Sequence, residues 1–499
     1  MRCLLFVCLL ICSLPTLALD RSRVEGYLLP NGLQVILKSG YERDHVSIRL
    51  VVGVGLDDFD CDQRELPHLI EHLLFSGIDE TGEGGLEERI QALGGEWNAF
   101  TSSADTTFVI EAPARNQRKV LDLLLAVVRD TQIDTKALAT AKKIIEREDG
   151  GHYGRLQRWL DRQDIGHPAS DQLATELGLK CPERSNFDDM TLEQVQQLRE
   201  HWYVANNMSL IVVGGLDRLL PAYLERTFGE LPATEPEERR NLESISQQAE
   251  QRRDLTRGWL GDSVKLHWLF IEPTLEEGHD QTLELLSRYL DWALYDQLRL
   301  RHGLSYGPSV QRESFGDSGL LTLNADLERQ DLDKALKVLE QLFDHLRKHG
   351  LDPDTFARIK EATIARESWT TQGNAALADY YWGALNAYED GRFTDPVREL
   401  RQVSLKQADA ALRELLKEPG YLRIEKPLLG YDELYGLVAL LLGLVLAVGL
   451  IRRRGPRAKP SGATRAPDSA VSCKPFASTH RGASPLPRRF MRGSGLAPR

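Results

Sequence analysis

The sequence predicts an α+β protein: two similar halves of roughly 200 residues each, followed by one transmembrane helix. Three observations support this. Strand and helix patterns run in a similar order on both sides of a polar break at residues 232–255, where Pro232 and Pro236 stand among Glu, Arg and Gln. Ile133-Asp134-Thr135-Lys136-Ala137-Leu138 is echoed by Leu351-Asp352-Pro353-Asp354-Thr355-Phe356 at an offset of 218, a faint internal duplication. Finally, Leu434 to Ile451 is 18 residues without a charge, about 27 Å as a helix.

The elements follow in order. Leu33 to Leu37, after the turn signal Pro30-Asn31-Gly32, and Val46 to Val54 read as strands. A helix carrying His68 comes next, with Pro67 in its first turn. Leu86 to Leu93 reads as a short helix closed by Gly94-Gly95, and Thr106 to Ala112 as a strand. Gln117 to Arg129, Thr135 to Glu148 and Leu192 to His201 read as helices, and Leu210 to Val213 as a buried strand. Beyond the break come a strand (Val264 to Ile271), a long helix (Gln281 to Leu300) and two strands (Ser305 to Gln311, Leu320 to Leu327). Helices over Leu332 to Lys348 and Pro353 to Ser368 complete the set.

Both ends carry targeting signals. Residues 1–18 read as a signal peptide: Arg2, an apolar run from Cys3 to Leu14, then small residues at Thr16 and Ala18. The span at 434–451 is followed at once by Arg452-Arg453-Arg454, which should remain cytoplasmic. The expected divisions are therefore 1–18 signal peptide, 19–231 first domain, 232–255 linker, 256–430 second domain, 434–451 span and 452–499 basic, disordered tail. Together they predict a bacterial inner-membrane protein with its body in the periplasm. The net charge of −12 combines +11 in the tail, +1 from Arg2 and hence −24 in the body, which excludes general nucleic-acid binding. Of six cysteines only Cys61 and Cys181 stay in the exported body. The compartment permits a disulfide between them, but sequence does not show whether they meet.

His68-Leu69-Ile70-Glu71-His72 carries the chemistry. Positions i, i+3 and i+4 share one face of a helix, so both imidazoles can grip one Zn²⁺ while Glu71 reaches a water on it. Zinc brings the pKa of such a water to about 7, and a carboxylate then serves as general base for peptide hydrolysis. Spacing alone leaves a chance match equally open. His345 and His349 repeat the i, i+4 spacing, but Arg347, Lys348 and the cap-like Gly350 point to a helix terminus instead.

The His68–His72 motif, Leu29-Pro30-Asn31-Gly32-Leu33 before it and Gly94-Gly95-Glu96-Trp97-Asn98-Ala99-Phe100-Thr101 after it together resemble the pitrilysin, insulin-degrading-enzyme and mitochondrial-processing-peptidase family over most of residues 23–425. The resemblance implies two homologous domains, each a mixed or antiparallel sheet with helices packed on it. It also implies a zinc metalloendopeptidase holding one Zn²⁺ per chain and acting on peptides or small unfolded proteins. A third ligand is implied about 76 residues past the second histidine, which is the position of Glu148. Arg299-Leu300-Arg301-His302-Gly303-Leu304-Ser305-Tyr306 matches a family segment whose Arg and Tyr bind the substrate carbonyl and the oxyanion. Taken alone, Arg299 would read as an ion-pairing helix residue and Tyr306 as core. Asn98 and Ala99 match an edge strand where substrate pairs by strand addition, although a turn Asn fits residue type as well. The implied partners are a peptide, the membrane through the C-terminal helix, and either a second copy or a companion subunit. The alternative is a non-catalytic paralogue that serves as scaffold or as peptide-binding partner of an active subunit. Ala141 stands where members often carry a further Glu, Pro67 replaces a more usual helix former, and a C-terminal span is not general in the family.

Overall fold

The computed structural model describes residues 20–76, 83–148, 154, 156, 168–181, 185–235, 249–275, 279–315 and 318–453. The expected signal peptide, the middle of the expected linker (236–248) and the tail from 454 onward lie outside the described residues. One unit reaches Tyr435 and a second begins at Gly436.

The first sheet contains β1 (Glu25–Leu28), β2 (Gln34–Ser39), β3 (His45–Val52), β4 (Glu96–Thr101), β5 (Thr106–Pro113) and β6 (Met208–Gly214), in the order β1-β2-β6-β3-β5-β4. Its helices are α1 (Leu66–Ser76), α2 (Glu83–Ala92), α3 (Gln117–Asp130), α4 (Thr135–Glu148), α5 (Ala169–Glu176), α6 (Leu192–Trp202) and α7 (Leu220–Thr227). The second sheet contains β7 (Arg252–Thr256), β8 (Ser263–Ile271), β9 (Ser309–Phe315), β10 (Ser318–Glu328) and β13 (Tyr421–Lys426), in the order β7-β13-β8-β10-β9. Helices α8 (His279–Tyr295), α9 (Leu332–His349), α10 (Pro353–Thr370), α11 (Asn374–Gly383), α12 (Pro396–Gln402) and α13 (Leu405–Leu415) accompany it. A two-residue hairpin, β11 (Tyr388–Glu389) and β12 (Arg392–Phe393), precedes α12.

The duplication is visible in strand pairing. The β2–β6 pair is parallel and its neighbours antiparallel; β7–β13 is likewise the one parallel pair of the second sheet. Arg49 faces Ile211 across β3–β6, and His267 faces Arg423 across β8–β13. Position 267 is 49 plus 218, the offset of the sequence repeat.

Alternate residues of a strand face opposite sides, and both faces are covered here. On the inner face Val35, Ile48, Leu50, Phe108, Leu210 and Val212 join apolar residues of α1, α3, α4 and α6. On the outer face Ile36, Val51, Ile211 and Val213 meet Leu377, Ala378 and Tyr381 of α11, which belongs to the second half. The exchange is reciprocal: Leu173 and Ala174 of α5, with Leu177 just after it, pack on Leu269 and Leu320 of the second sheet. Neither α5 nor α11 was evident in the sequence. Residues 252–255, expected as linker, instead form most of β7, because their backbone pairs with β13.

A buried arginine fixes each exchanged helix. Arg49 bonds Asp379 of α11 at 2.8 Å and Glu111 at 2.9 Å; Arg423 bonds Glu176 of α5 at 2.6 Å. The disulfide left open by sequence is present: Cys61, just before α1, is bonded to Cys181, just after α5. Crosslinking across 120 residues removes unfolded-chain entropy worth about 5 kcal/mol.

The last helix, α14 (Tyr431–Arg453), is long and apolar enough over Tyr431–Leu450 to cross a membrane, and none of that window is buried.

Removing one partner of a buried ion pair costs about 3–5 kcal/mol because the other charge is left unpaired. Arg49→Met should therefore unfold well below the wild-type protein in thermal melts, and adding Glu111→Gln should recover part of the loss. Equal melting of Arg49→Met and wild type would show that the pair contributes nothing to holding α11.

Candidate metal centre and active site

Helix α1 is amphipathic. Leu66, Leu69, Ile70, Leu73 and Leu74 are buried in the core, and Pro67 occupies the first turn, where its missing N–H costs nothing. This orientation turns His68 and His72 together toward the other side, half-buried. Helix α4 supplies the third group. Leu138, Ala141 and Ile145 form its buried stripe, and Glu148 continues that stripe one turn further at the last residue of the helix. Glu146 lies off the stripe, and Glu148, not Glu146, stands with the histidines.

His72 Nε2 is 3.3 Å from His68 Nε2 and 3.2 Å from Glu148 Oε2; His68 Nε2 is 3.7 Å from Glu148 Oε2. Ligands at zinc distances on a tetrahedron are separated by about 3.4 Å. The triangle of donor atoms therefore fits one Zn²⁺ with a corner left for water or substrate. Glu65 Oε2 lies 3.1 Å from His68 Nδ1, which places the imidazole proton on Nδ1 and leaves the Nε2 lone pair facing the site. Burial disfavours the His68 cation, but Glu65, Glu71 and Glu148 outweigh it and raise the pKa.

Glu71 is nearly buried beside the triangle. Burial raises its pKa, and donation from Thr101 Oγ1 at 2.6 Å opposes the rise. That bond occupies Glu71 Oε2 and leaves Oε1 for another proton. Thr101 closes β4, the edge strand, whose residues alternate between exposed and half-buried; Asn98 is exposed and Ala99 half-buried. One side of β4 pairs with β5, and the other is open to an added strand among the described residues.

Arg299 and Tyr306 are joined to each other and not to this cluster. The Arg299 guanidinium donates to the Tyr306 carbonyl and lies over two rings, 4.2 Å from the centre of Tyr306 and 5.2 Å from that of Tyr295. Tyr306 is 83% exposed, so the core role that residue type allowed is excluded. Two expectations here need correction. The long helix does not run regularly to Leu300: α8 ends at Tyr295 and a π-helical turn, Asp296–Arg301, carries Arg299. Such turns are often found at functional sites. Strand β9 begins at Ser309, not Ser305, because Gly307-Pro308 interrupts the pattern and leaves Tyr306 on a loop.

Sequence reasoning missed Glu65 and Thr101 as site residues. Glu65 was detectable, three residues before His68 on the same helical face; Thr101 became significant only when β4 was placed against α1. Among the described residues the second half has no such centre. At the repeat offset His68, Glu71 and His72 become Leu286, Tyr289 and Leu290, all buried, and Glu148 becomes Arg366.

Residues 34–151 match the family model described as insulinase (peptidase family M16), and residues 189–363 match that of the peptidase M16 inactive domain. YmxG of Bacillus subtilis (strain 168), named as an uncharacterized zinc protease, is 20% identical over 420 residues, 81% of this chain and 98% of its own length. PqqL of Haemophilus influenzae, named as a probable zinc protease, is 30% identical over 202 residues, 38% of this chain. The aligned part is only 21% of that relative's length. Among solved structures, the periplasmic protease PqqL from Escherichia coli superposes with a TM-score of 0.67 at 15% identity, covering 91% of this chain and 52% of that one.

Purified protein should contain about one zinc per chain. His72→Ala should lose it, and Glu65→Gln should bind it about 10–100-fold more weakly. Metal titration followed by elemental analysis checks both, and full zinc content in His72→Ala would reject the triangle as the site.

Proposed function

We propose that this chain, which belongs to the insulinase (peptidase M16) family, is a zinc metalloendopeptidase that cuts peptides or small unfolded proteins. The convergence of His68, His72 and Glu148 beside the nearly buried Glu71 supports this reading most directly. Zinc, when bound, supplies Lewis acidity that polarises the scissile carbonyl and makes a water acidic near neutral pH.

The chain's own residues supply the rest. His68, His72 and Glu148 hold the cation, and Glu65 fixes the His68 ring. Glu71 takes the proton of the attacking water on Oε1 and passes it to the leaving amine. Substrate lies extended along β4, with Asn98 and Ala99 marking the register of strand addition. Arg299 and Tyr306 donate to the substrate carbonyl and to the oxyanion that develops from it. These donors reach the site by closure of the second half over substrate, or from a second copy or companion subunit. A non-catalytic paralogue is the alternative, and the assays below distinguish it.

The body is read as exported to the periplasm and held at the inner membrane by α14, with the Arg452 cluster on the cytoplasmic side. A reporter active only in the periplasm should work when fused near Lys426 and fail near Ala463. The reverse pattern would overturn the orientation.

Glu71→Gln should keep zinc and lose cleavage, whereas a scaffold would show no cleavage in any form. A general base must be ionised, and the Thr101 hydrogen bond lowers a carboxyl pKa that burial raises. Thr101→Val should therefore move the Glu71 pKa up and shift the acid limb of the kcat/KM profile to higher pH. An unmoved limb would exclude Glu71 as the titrating base or Thr101 as its brace.

Tyr306→Phe should retain zinc and fold while kcat/KM falls by about 10²–10³. Arg299→Lys should be no milder, since a lysine cannot reproduce the guanidinium fork. Near-wild-type cleavage by Tyr306→Phe would remove the second half from the chemistry.

A further inference from the structure

We propose that the β7–β8 loop, led by Trp259 and Leu260, and the first turn of α14 together form an interfacial foot that sits in the headgroup layer of a lipid bilayer. The second half is then held against the membrane instead of hanging from a free tether. This rests on the reading of α14 as a membrane anchor.

The foot is apolar and exposed. Trp259 is 83% and Tyr435 65% accessible, and Leu260, Leu428 and Tyr431 are exposed as well. An indole 83% open to water is unfavourable in a body whose other large apolar residues mostly fill its cores. Trp and Tyr are the side chains that favour the headgroup layer, where an apolar ring and a polar N–H or O–H are both accommodated.

The backbone holds these residues together. Leu428 N–H donates to Gly258 O at 3.1 Å, Leu429 N–H to Trp259 O at 3.1 Å, and Gly261 N–H to Leu429 O at 3.0 Å. The loop therefore runs beside the short connection from β13 to α14.

That connection has no slack. β13 ends at Lys426 and α14 begins at Tyr431. Tyr431 N–H donates to Asp262 Oδ1 at 3.0 Å, and Arg329 donates to Pro427 O at 3.1 Å while pairing with Glu433 at 3.4 Å. Gly430 is needed for closeness: a Cβ there would stand 2.9 Å from Asp262 Oδ1 and 3.1 Å from Arg329 Cδ. Asp262 and Glu433 are thus turned to capping and pairing, and Asp432 is the acid of that turn left exposed beside the aromatic and leucine side chains. Where the first turn of α14 meets a bilayer, the Trp259 loop meets it too.

The test uses the full chain in bilayers of phosphatidylethanolamine and phosphatidylglycerol, with bromine placed on the acyl chains just below the headgroups. The sequence has eight tryptophans, so the emission of Trp259 is taken as the difference between wild type and Trp259→Phe. A blue-shifted difference spectrum that bromine quenches is expected. A red-shifted, unquenched difference places Trp259 in water and overturns the inference. A blue-shifted but unquenched one means a protein surface covers it, and overturns it equally. Flotation separates the two readings. A chain that does not float with vesicles refutes the anchor and the foot together, and a floating chain with unquenched Trp259 refutes the foot alone.

Discussion

Three donor atoms must converge within about one tetrahedral edge of each other, and two of them sit on a different helix from the third. This constraint governs the first half. Helix α1 can place His68 and His72 together by local geometry, but Glu148 arrives only if α4 crosses α1 in one register. The stripe Leu138, Ala141, Ile145 sets that register, since it buries the face that Glu148 continues. Loss of packing there would displace a ligand without touching it.

The two halves show what the fold requires and what the chemistry adds. Strand order, the single parallel pair and the 218-residue offset are shared. Where the first half spends polar residues on a cluster, the second has Leu286, Tyr289 and Leu290 in its core, and Tyr289 accepts a bond from Asp352 N–H at 2.9 Å. The second half is free of the cost of gathering like charges. At the π-helical turn that follows α8, Arg299 lies against the rings of Tyr295 and Tyr306.

Legibility from sequence followed the range of the interaction. The His68–His72 spacing, the span at 434–451 and the long amphipathic helices are local patterns, and each appears as a helix in the structure. Glu148 needed the family resemblance, because the helical face that separates it from Glu146 does not say that α4 meets α1. The Cys61–Cys181 bond spans 120 residues, and only the fold shows that the two cysteines meet. Residues 305–308 read as the start of a strand, yet Gly307 and Pro308 deny the backbone pairing. Helices α5 and α11 escaped because they are short and pack on the other half, so their neighbours in sequence carry no sign of their partner.

That last point bears on why the two halves persist together. The outer face of the first sheet presents Ile36, Val51, Ile211 and Val213, and α11 covers them. The same helix supplies Asp379 to the buried Arg49, a charge that would be costly to leave unpaired inside the sheet. In return α5 supplies Glu176 to Arg423 and apolar cover to the second sheet. Each half thus completes the other's surface, so the half that carries His68, His72 and Glu148 is not an independent folding unit with an accessory attached. Selection on the first half's cluster would retain the second half through this exchange, whether or not Arg299 and Tyr306 reach the substrate.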